Sequence, residues 1–415
     1  MADLPTSTHT VVIGAGQAGL IMSHHLRRAG REHLVLDRRD RLGGGWQDRW
    51  DAFQLVSPNF VTDLPGFPYV GGDPDGYMTR DEIAGRVAAY GAAIEAPVEL
   101  GTTVTRLAAD PESPGRFLVE TSRGAVRAQN VVVATGAFHT PRIPPSALDP
   151  AINQLHAHDY RNEGQLPSGG VLLVGSGQTG VQLAEELYEA GRAVTLSVGH
   201  CGRVPRRYRG RDIFWWLRSL VVDGPRVGAE LPSVDELPDP RARFACNPHL
   251  SGHGGGHDTD LRRFAARGMR LVGRFEVAEA HRARFRADLA ANLAFADAFF
   301  DERFKELCER FAERAGLGLP PDDRVQFELD VPEVTYLDLR AEGISTVLWT
   351  TGYVPDYGWL DLPVLNELGV PRQVRGISDI PGLTFLGLLW QRNQASANFV
   401  GVAADADYLA AQWDA

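Results

Sequence analysis

Thr10-Val11-Val12-Ile13-Gly14-Ala15-Gly16-Gln17-Ala18-Gly19 is the stretch on which the reading of this chain turns. A short β-branched run followed at once by GxGxxG predicts a buried parallel strand feeding a helix. Residues 17–29 supply that helix, with Ala18, Leu20, Ile21 and Leu26 on its buried side and Gly30 as its stop. Residues 33–36 make the next strand, which ends on Asp37. In such a βαβ unit Gly14 permits the tight turn, Gly16 lets a pyrophosphate approach the backbone, and Gly19 lets the helix lie close to the strand. Gln17 opens the helix, and Asp37 stands where a carboxylate binds adenosine ribose hydroxyls. An acid at this position selects an unphosphorylated ribose, so the first unit reads as an FAD site.

Downstream, residues 41–50 form a glycine-rich loop and 53–69 an aromatic, proline-rich connector. Residues 80–90 look helical, 104–126 alternate as an antiparallel meander about Pro114-Gly115, and 131–133 are another buried strand. The pattern then repeats. Residues 171–174 are a strand, Gly175-Ser176-Gly177-Gln178-Thr179-Gly180 a second GxGxxG, 178–190 a helix closed by Gly191, and 193–198 a strand. This second strand ends at Ser197, Val198 and Gly199 without an acid, and Arg203, Arg206 and Arg207 follow. Small residues with arginines suit a ribose 2′-phosphate, which assigns NADPH to the second site through Ser197, Arg203 and Arg206.

The expected architecture is therefore α/β, with two Rossmann-type dinucleotide-binding domains, the NADPH domain inserted into a discontinuous FAD domain. The boundaries expected are 1–165 for the first part of the FAD domain, 166–333 for the NADPH domain with a helical insertion, and 334–415 for the remainder. Within the insertion, 203–273 are irregular and 285–315 strongly helical; 334–352 return to strand character and 399–411 make a last helix.

Bulk properties narrow the class. The chain has 415 residues, enough for two domains with their own cores, and a formal net charge of -11 that disfavours a nucleic-acid partner. The longest apolar runs are too short to insert in a membrane, and residues 1–10 are polar, so a cytoplasmic location is expected. Cys201, Cys246 and Cys308 are widely spaced and form no CxxC or CxxxxC pair, so no disulfide framework is expected and no dithiol of the disulfide-reductase kind. His249, His253, His257 and Asp258 are interrupted by glycines that break a helix; no metal is expected, and the segment reads as a mobile loop near the nicotinamide or substrate entrance.

Further motifs carry a resemblance. Gly43-Gly44-Gly45-Trp46, Ala134-Thr135-Gly136 followed by Pro141 and Pro144, Thr350-Thr351-Gly352-Tyr353, Phe385-Leu386-Gly387, and Gly401 through Asp405-Ala406 to Tyr408-Leu409 run the length of the chain. Together they resemble the flavin-containing monooxygenase superfamily, nearest to a bacterial flavoprotein branch often labelled as involved in potassium transport, a label these residues do not support. The superfamily's linker fingerprint survives only as His156 and Tyr160, which weakens the Baeyer–Villiger alternative.

The resemblance implies hydride transfer from NADPH to FAD, oxygen activation as a flavin C4a-hydroperoxide, and oxygenation of nitrogen or sulfur in a small molecule. It also implies cofactor contacts at Gly45, Trp46, Val104, Thr135, Gly136, Gly352 and Gly387. Asn59, Gln391 and Asn393 are the polar groups expected beside the flavin, as catalytic candidates. The partners expected are a small-molecule substrate and molecular oxygen; homo-oligomer formation is left open. A Baeyer–Villiger monooxygenase, an NADPH:acceptor oxidoreductase without oxygen transfer, and a flavin-loaded redox sensor are the alternatives.

Overall fold

Two sheets organise the molecule, the first mixed and the second parallel, each containing the strand that leads into one of the glycine motifs. In the computed structural model, which describes residues 3–413, the strand Ser7–Ile13 pairs in parallel with His33–Leu36 on one side and Gly124–Val133 on the other. Val11, Val12, Val131 and Val132 have no solvent exposure, because helices cover one face and a meander the other. Fully burying such a side chain contributes roughly 1.5–3 kcal/mol. The meander is Val104–Ala109, Phe117–Thr121 and Gly124–Val133, antiparallel throughout. Leu360–Asp361 extends it at one edge, and Leu383–Phe385 returns to pair with Gly124–Val133.

The second sheet is wholly parallel, in the order Arg270–Val272, Val194–Ser197, Gly170–Val174, Ile344–Trp349, Asn153–His156. This order corrects the expected domain boundaries. Asn153–His156 and Ile344–Trp349 both lie in the second sheet, so the inserted unit takes in 153–156, before residue 166, and 344–349, after residue 333. Burying Leu172 and Val347 against each other requires Ile344–Trp349 to sit beside Gly170–Val174, a long-range pairing with no local signal.

The 285–315 segment is also more divided than its composition suggests. Phe285 ends the strand Arg282–Phe285, which pairs with Phe275–Ala280, and helix begins only at Leu289. Ala283 and Phe285 are buried while Arg282 and Arg284 are exposed, the period of two that marks a strand. The helices Leu289–Phe300 and Glu306–Arg314 are joined by a π turn at Asp301–Lys305.

Candidate cofactor and active site

The first glycine loop is built around a backbone that only glycine adopts easily. Gly14 has φ +107°, and a Cβ there would lie 2.5 Å from the Ala134 carbonyl oxygen. Its N–H donates to Leu36 O at 2.7 Å, so the loop is tied to the end of the second strand. Asp37 completes that tie: it is buried, its Oδ2 accepts from Ala15 N–H at 2.7 Å, and its Oδ1 accepts from Arg39 N–H at 2.9 Å. Each oxygen keeps a second lone pair for a ribose hydroxyl.

Helix Gln17–Arg28 starts from Gly16, which has no side chain to cap it, so its leading N–H groups are free for an anion. A Cβ placed on Gly16 would meet only Gly44 Cα, at 3.8 Å, and the approach to this loop is open.

The residues expected around the flavin converge on this loop. Gln17 Oε1 accepts from Trp46 Nε1 at 3.2 Å, and its Nε2 donates to Ala397 O at 3.4 Å. Trp46 stacks on Phe399 with centroids 5.7 Å apart. Thus the 43–46 loop and the start of helix Phe399–Trp413 are fastened to the same side chain. Gly387 lies against Ala18, Thr135 against Gly14, and Gly44 against Gly16. Gly136 has φ +82° and offers its carbonyl to His139 Nε2 at 3.0 Å. Gly45 is exposed, and Val104 starts the meander opposite Thr121.

The catalytic candidates divide. Gln391 is fully buried and its Nε2 finds no hydrogen-bond partner among the described residues. Asn59 is buried in the turn Asn59–Val61; its Nδ2 donates to Asp73 O at 2.8 Å, while Oδ1 has no partner among the described residues. Asn393, by contrast, is spent on structure: its Oδ1 accepts from Ala395 N–H at 3.0 Å, and its backbone bridges to Ser233.

The second loop repeats the first. Gly175 has φ +110°, with the Thr350 carbonyl where its Cβ would go, so Thr350–Gly352 lies beside it. Gly180 packs against Gly175 O as Gly19 does against Gly14 O. Gly352 O accepts from Arg142 N–H at 2.9 Å and is 3.2 Å from His156 Nε2. Helix Gln178–Glu189 likewise starts from an uncapped glycine, Gly177, and Thr179 stands in its first turn. Ser176 Oγ accepts from Gly199 N–H at 3.0 Å, and Gln178 Nε2 bonds Leu250 O.

Three residues expected to read the 2′-phosphate are committed elsewhere. Ser197 is buried between strands, donating to Gly273 O and accepting from Phe275 N–H, both at 3.0 Å. Arg203 pairs with Asp297 at 2.9 Å and Asp260 at 3.4 Å. Arg206 is buried, bidentate to Asp212 at 2.7 and 2.8 Å, and also donates to Val56 O at 2.7 Å. Arg203 meets carboxylates brought from distant segments, Asp260 and Asp297, while Arg206 is captured by Asp212, six residues on in the same hairpin. The basic side chains exposed at the strand ends are instead Arg274, a cation beyond Arg270–Val272, and the imidazole of His200 beyond Val194–Ser197. Charge crowding links them: Arg274, after burial, lowers the His200 pKa. The clue was positional, since residues just past parallel strand ends face the ligand crevice.

The histidine segment, expected near the nicotinamide or substrate entrance, packs on the second loop and its helix. His249 is fully buried against Ser176 O, and burial pushes its pKa down to about 4. His257 pairs with Glu185 at 2.8 Å, and His253 lies 3.3 Å from Glu189. A further correction concerns the cysteines. Cys201 and Cys246 form a disulfide across 45 residues, with Cα atoms 6.1 Å apart, because the irregular insertion folds back over the second loop. Cys308 is a buried free thiol.

The two units meet through the 46–56 segment. Gln182 Nε2 donates to Gln54 O at 3.4 Å, Arg206 Nη1 to Val56 O at 2.7 Å, and Phe138 packs on Tyr353 with centroids 5.3 Å apart. The Arg49 guanidinium lies over the Trp46, Phe53 and Phe138 rings at 5.4–5.9 Å. Burial holds its pKa below the usual value. Asp37 and the open first loop fit FAD; the uncapped second loop, with Arg274 and the His200 imidazole at its strand ends, fits NADP(H).

Two paired dinucleotide units with this aromatic contact between them define a flavin- and NADP-dependent oxidoreductase. Residues 11–211 match the family model described as pyridine nucleotide-disulphide oxidoreductase. The chain is 33% identical, over 96% of its length and 96% of the relative's, to an uncharacterized CzcO-like oxidoreductase of Geobacillus kaustophilus (strain HTA426). It is 31% identical, over 51% of its length and 55% of the relative's, to the indole-3-pyruvate monooxygenase YUCCA1 of Oryza sativa subsp. japonica. A flavin-containing monooxygenase from Stenotrophomonas maltophilia shares the fold, with a TM-score of 0.66, 20% identity and 98% of both chains covered. The chain belongs to the CzcO-like oxidoreductases of the flavin-containing monooxygenase superfamily. It is an oxidoreductase enzyme. Among the described residues no helix is long and apolar enough to cross a membrane.

Proposed function

We propose that the chain oxygenates nitrogen or sulfur in a small molecule, with NADPH as electron donor and molecular oxygen as co-substrate. The observation that carries this reading is a pair of aromatic contacts, Trp46 stacked on Phe399 beside the first loop and Phe138 packed at a tilt on Tyr353 where the units join. Of these rings Phe399 is buried and Trp46 half-buried, an apolar surface beside the first loop of the kind that lengthens the life of reactive oxygen adducts by limiting water. Bound FAD supplies electron storage and oxygen activation.

The chain's own residues do the rest. Asp37 and the Gln17–Arg28 helix start hold the dinucleotide, and Gln17 fixes Trp46 and Ala397 beside it. The start of helix Phe399–Trp413 adds N–H groups that favour negative charge on the reduced ring. Asn59 Oδ1 and Gln391 Nε2 are the buried groups left to bond cofactor or substrate. His200 and Arg274 take the 2′-phosphate role first given to Arg203 and Arg206.

The test is isotope transfer. Holoenzyme turned over under ¹⁸O₂ with NADPH is offered an aryl methyl thioether, a tertiary amine and a cyclic ketone as probes. One labelled oxygen in the sulfoxide or N-oxide, matched to NADPH consumed, is the expected result. Lactone from the ketone alone would reassign the chain to the Baeyer–Villiger type. All electrons recovered as hydrogen peroxide with every probe would reassign it to a reductase.

A further inference from the structure

The second glycine of a dinucleotide motif is small because the pyrophosphate must pass over its backbone. At the first loop that space is open, but at the second it is filled. A Cβ built on Gly177 would lie 3.2 Å from the Cβ of Cys246. Cys246 therefore sits on the side of Gly177 from which NADP(H) would approach, over the uncapped start of helix Gln178–Glu189.

The segment carrying Cys246 is a strap held at both ends. At its beginning, Ser233 bridges to Asn393 and Val234 N–H donates to Arg392 O at 2.7 Å, beside the C-terminal part of the first unit. At its far end Cys246 is bonded to Cys201, which is buried just beyond the strand Val194–Ser197. Between these anchors the chain is mostly exposed, in two short 3₁₀ turns at Val234–Glu236 and Pro240–Phe244. Cys246 is itself exposed, so an oxidant or thiol in solution can reach it.

We propose that Cys201 and Cys246 form a redox latch that closes the NADP(H) site when oxidised and opens it when reduced. This rests on the reading of the second loop as the NADP(H) site. In the latched state the strap holds Cys246 where the pyrophosphate belongs. Cleavage removes the cross-tie to Cys201, and the strap loosens between its remaining anchors, Ser233–Val234 at one end and buried His249, whose N–H donates to Gly202 O at 2.8 Å, at the other.

The chemistry needs an oxidant, and hydrogen peroxide is the one a flavin monooxygenase releases when oxygen activation is not coupled to substrate. The Cys246 thiolate attacks one peroxide oxygen, the O–O bond breaks, and water leaves with the proton taken up, giving a sulfenic acid. The Cys201 sulfur then attacks that sulfur, the S–O bond breaks, and a second water leaves. Two thiols thus lose two electrons and two protons, and one peroxide becomes two waters. A dithiol reverses the change by exchange, ending as its own disulfide. Peroxide from wasted turnover would in this way shut off its own supply of electrons. Cys308 serves as an internal reference thiol, because it is buried and burial pushes its pKa up to about 12.

The experiment uses FAD-loaded protein in two states, treated with hydrogen peroxide or with a dithiol and then desalted. Intact mass after alkylation counts free thiols, and calorimetric titration with NADP⁺ measures affinity without turnover. A latch that leaves the open form below ~10% of molecules weakens apparent affinity by about tenfold or more, since apparent Kd scales inversely with the competent fraction. The expected result is two thiols fewer in the oxidised state, at Cys201 and Cys246, with at least that loss of affinity. Cys246→Ser should abolish the difference between the two states. Equal NADP⁺ affinity in both states, with the disulfide verified by mass, would overturn the latch while leaving the nucleotide site standing. No binding in either state, or in Cys246→Ser, would remove the nucleotide reading and the latch with it.

Discussion

Arg206→Ala tests whether this arginine belongs to the nucleotide site or to the scaffold. The Arg206 side chain is 5% exposed and that of Asp212 12%. The guanidinium makes two bonds to Asp212, one to Val56 O and one at 3.4 Å to Ser251 O, and lies over the Tyr77 and Phe214 rings. Truncation leaves the Asp212 carboxylate with only the Phe214 N–H at 2.8 Å and the Tyr77 hydroxyl at 3.4 Å. Removing one partner of a buried pair costs about 3–5 kcal/mol. With a denaturant slope near 3 kcal/mol/M, this moves the urea midpoint down by on the order of 1 M. The NADPH-to-NADH preference of the folded fraction should be unchanged. Arg274→Ala is the counterpart: exposed and free of a buried carboxylate, it should leave the midpoint in place. Loss of a charge-assisted bond to the 2′-phosphate, roughly 1.5–3 kcal/mol, should raise the NADPH KM by about tenfold or more without touching NADH. An unshifted midpoint for Arg206→Ala with a selective NADPH defect would refute the assignment of Arg206 to the scaffold.

Gly14→Ala should strip flavin, because the new methyl group meets Ala134 O in a φ +107° backbone; the ratio of flavin to protein absorbance after gel filtration checks this. Phe399→Ala removes the Trp46 stack and should raise the fraction of NADPH electrons released as peroxide, measured by a peroxidase assay, with flavin content nearly unaltered. Burial pushes the Asp405 pKa up to about 6, with Ser396 and Arg392 opposing it. The folded chain therefore holds this proton more tightly than the unfolded chain. The associated stability is complete below pH ~4 and is lost as pH rises through about 6. Asp405→Asn should thus gain denaturant midpoint on wild type between pH 5 and 8, and a gap constant with pH would contradict the cause given.

Both glycine loops were legible because each is a local device. Strand, GxGxxG, helix and the presence or absence of a terminal acid fall within about thirty residues, and Gly14 and Gly175 have φ values of +107° and +110°. The convergence of Trp46, Thr135 and Gly387 on the first loop was legible only through the resemblance, since these contacts join separate elements and those of Thr135 and Gly387 bridge distant parts of the chain. What sequence misplaced was decided by partners it does not show. Arg203 and Arg206 follow the right strand, but Asp297, Asp260 and Asp212 capture them. Asn153–His156 and Ile344–Trp349 contain ordinary strand residues, and they join the second sheet only through the pairing of Ile344–Trp349 with Gly170–Val174 on one side and Asn153–His156 on the other.

The cysteines show the same limit most sharply, and with a functional consequence. A search for adjacent cysteine pairs tests only for dithiols built on one turn. Cys201 and Cys246 are brought together by an insertion of irregular chain, with Cα atoms at 6.1 Å, within the span a disulfide bridges. Their place also separates them from the chemistry of a disulfide reductase. The pair lies against Gly177 of the second loop, whereas a dithiol that takes electrons from flavin must face the ring held by the first. The first loop is open beyond Gly16 and the second is covered at Gly177, so the two otherwise matching sites differ in access. A fold with two equivalent dinucleotide loops needs some such difference if one cofactor is to stay while the other comes and goes. The strap provides it on the side where exchange is required.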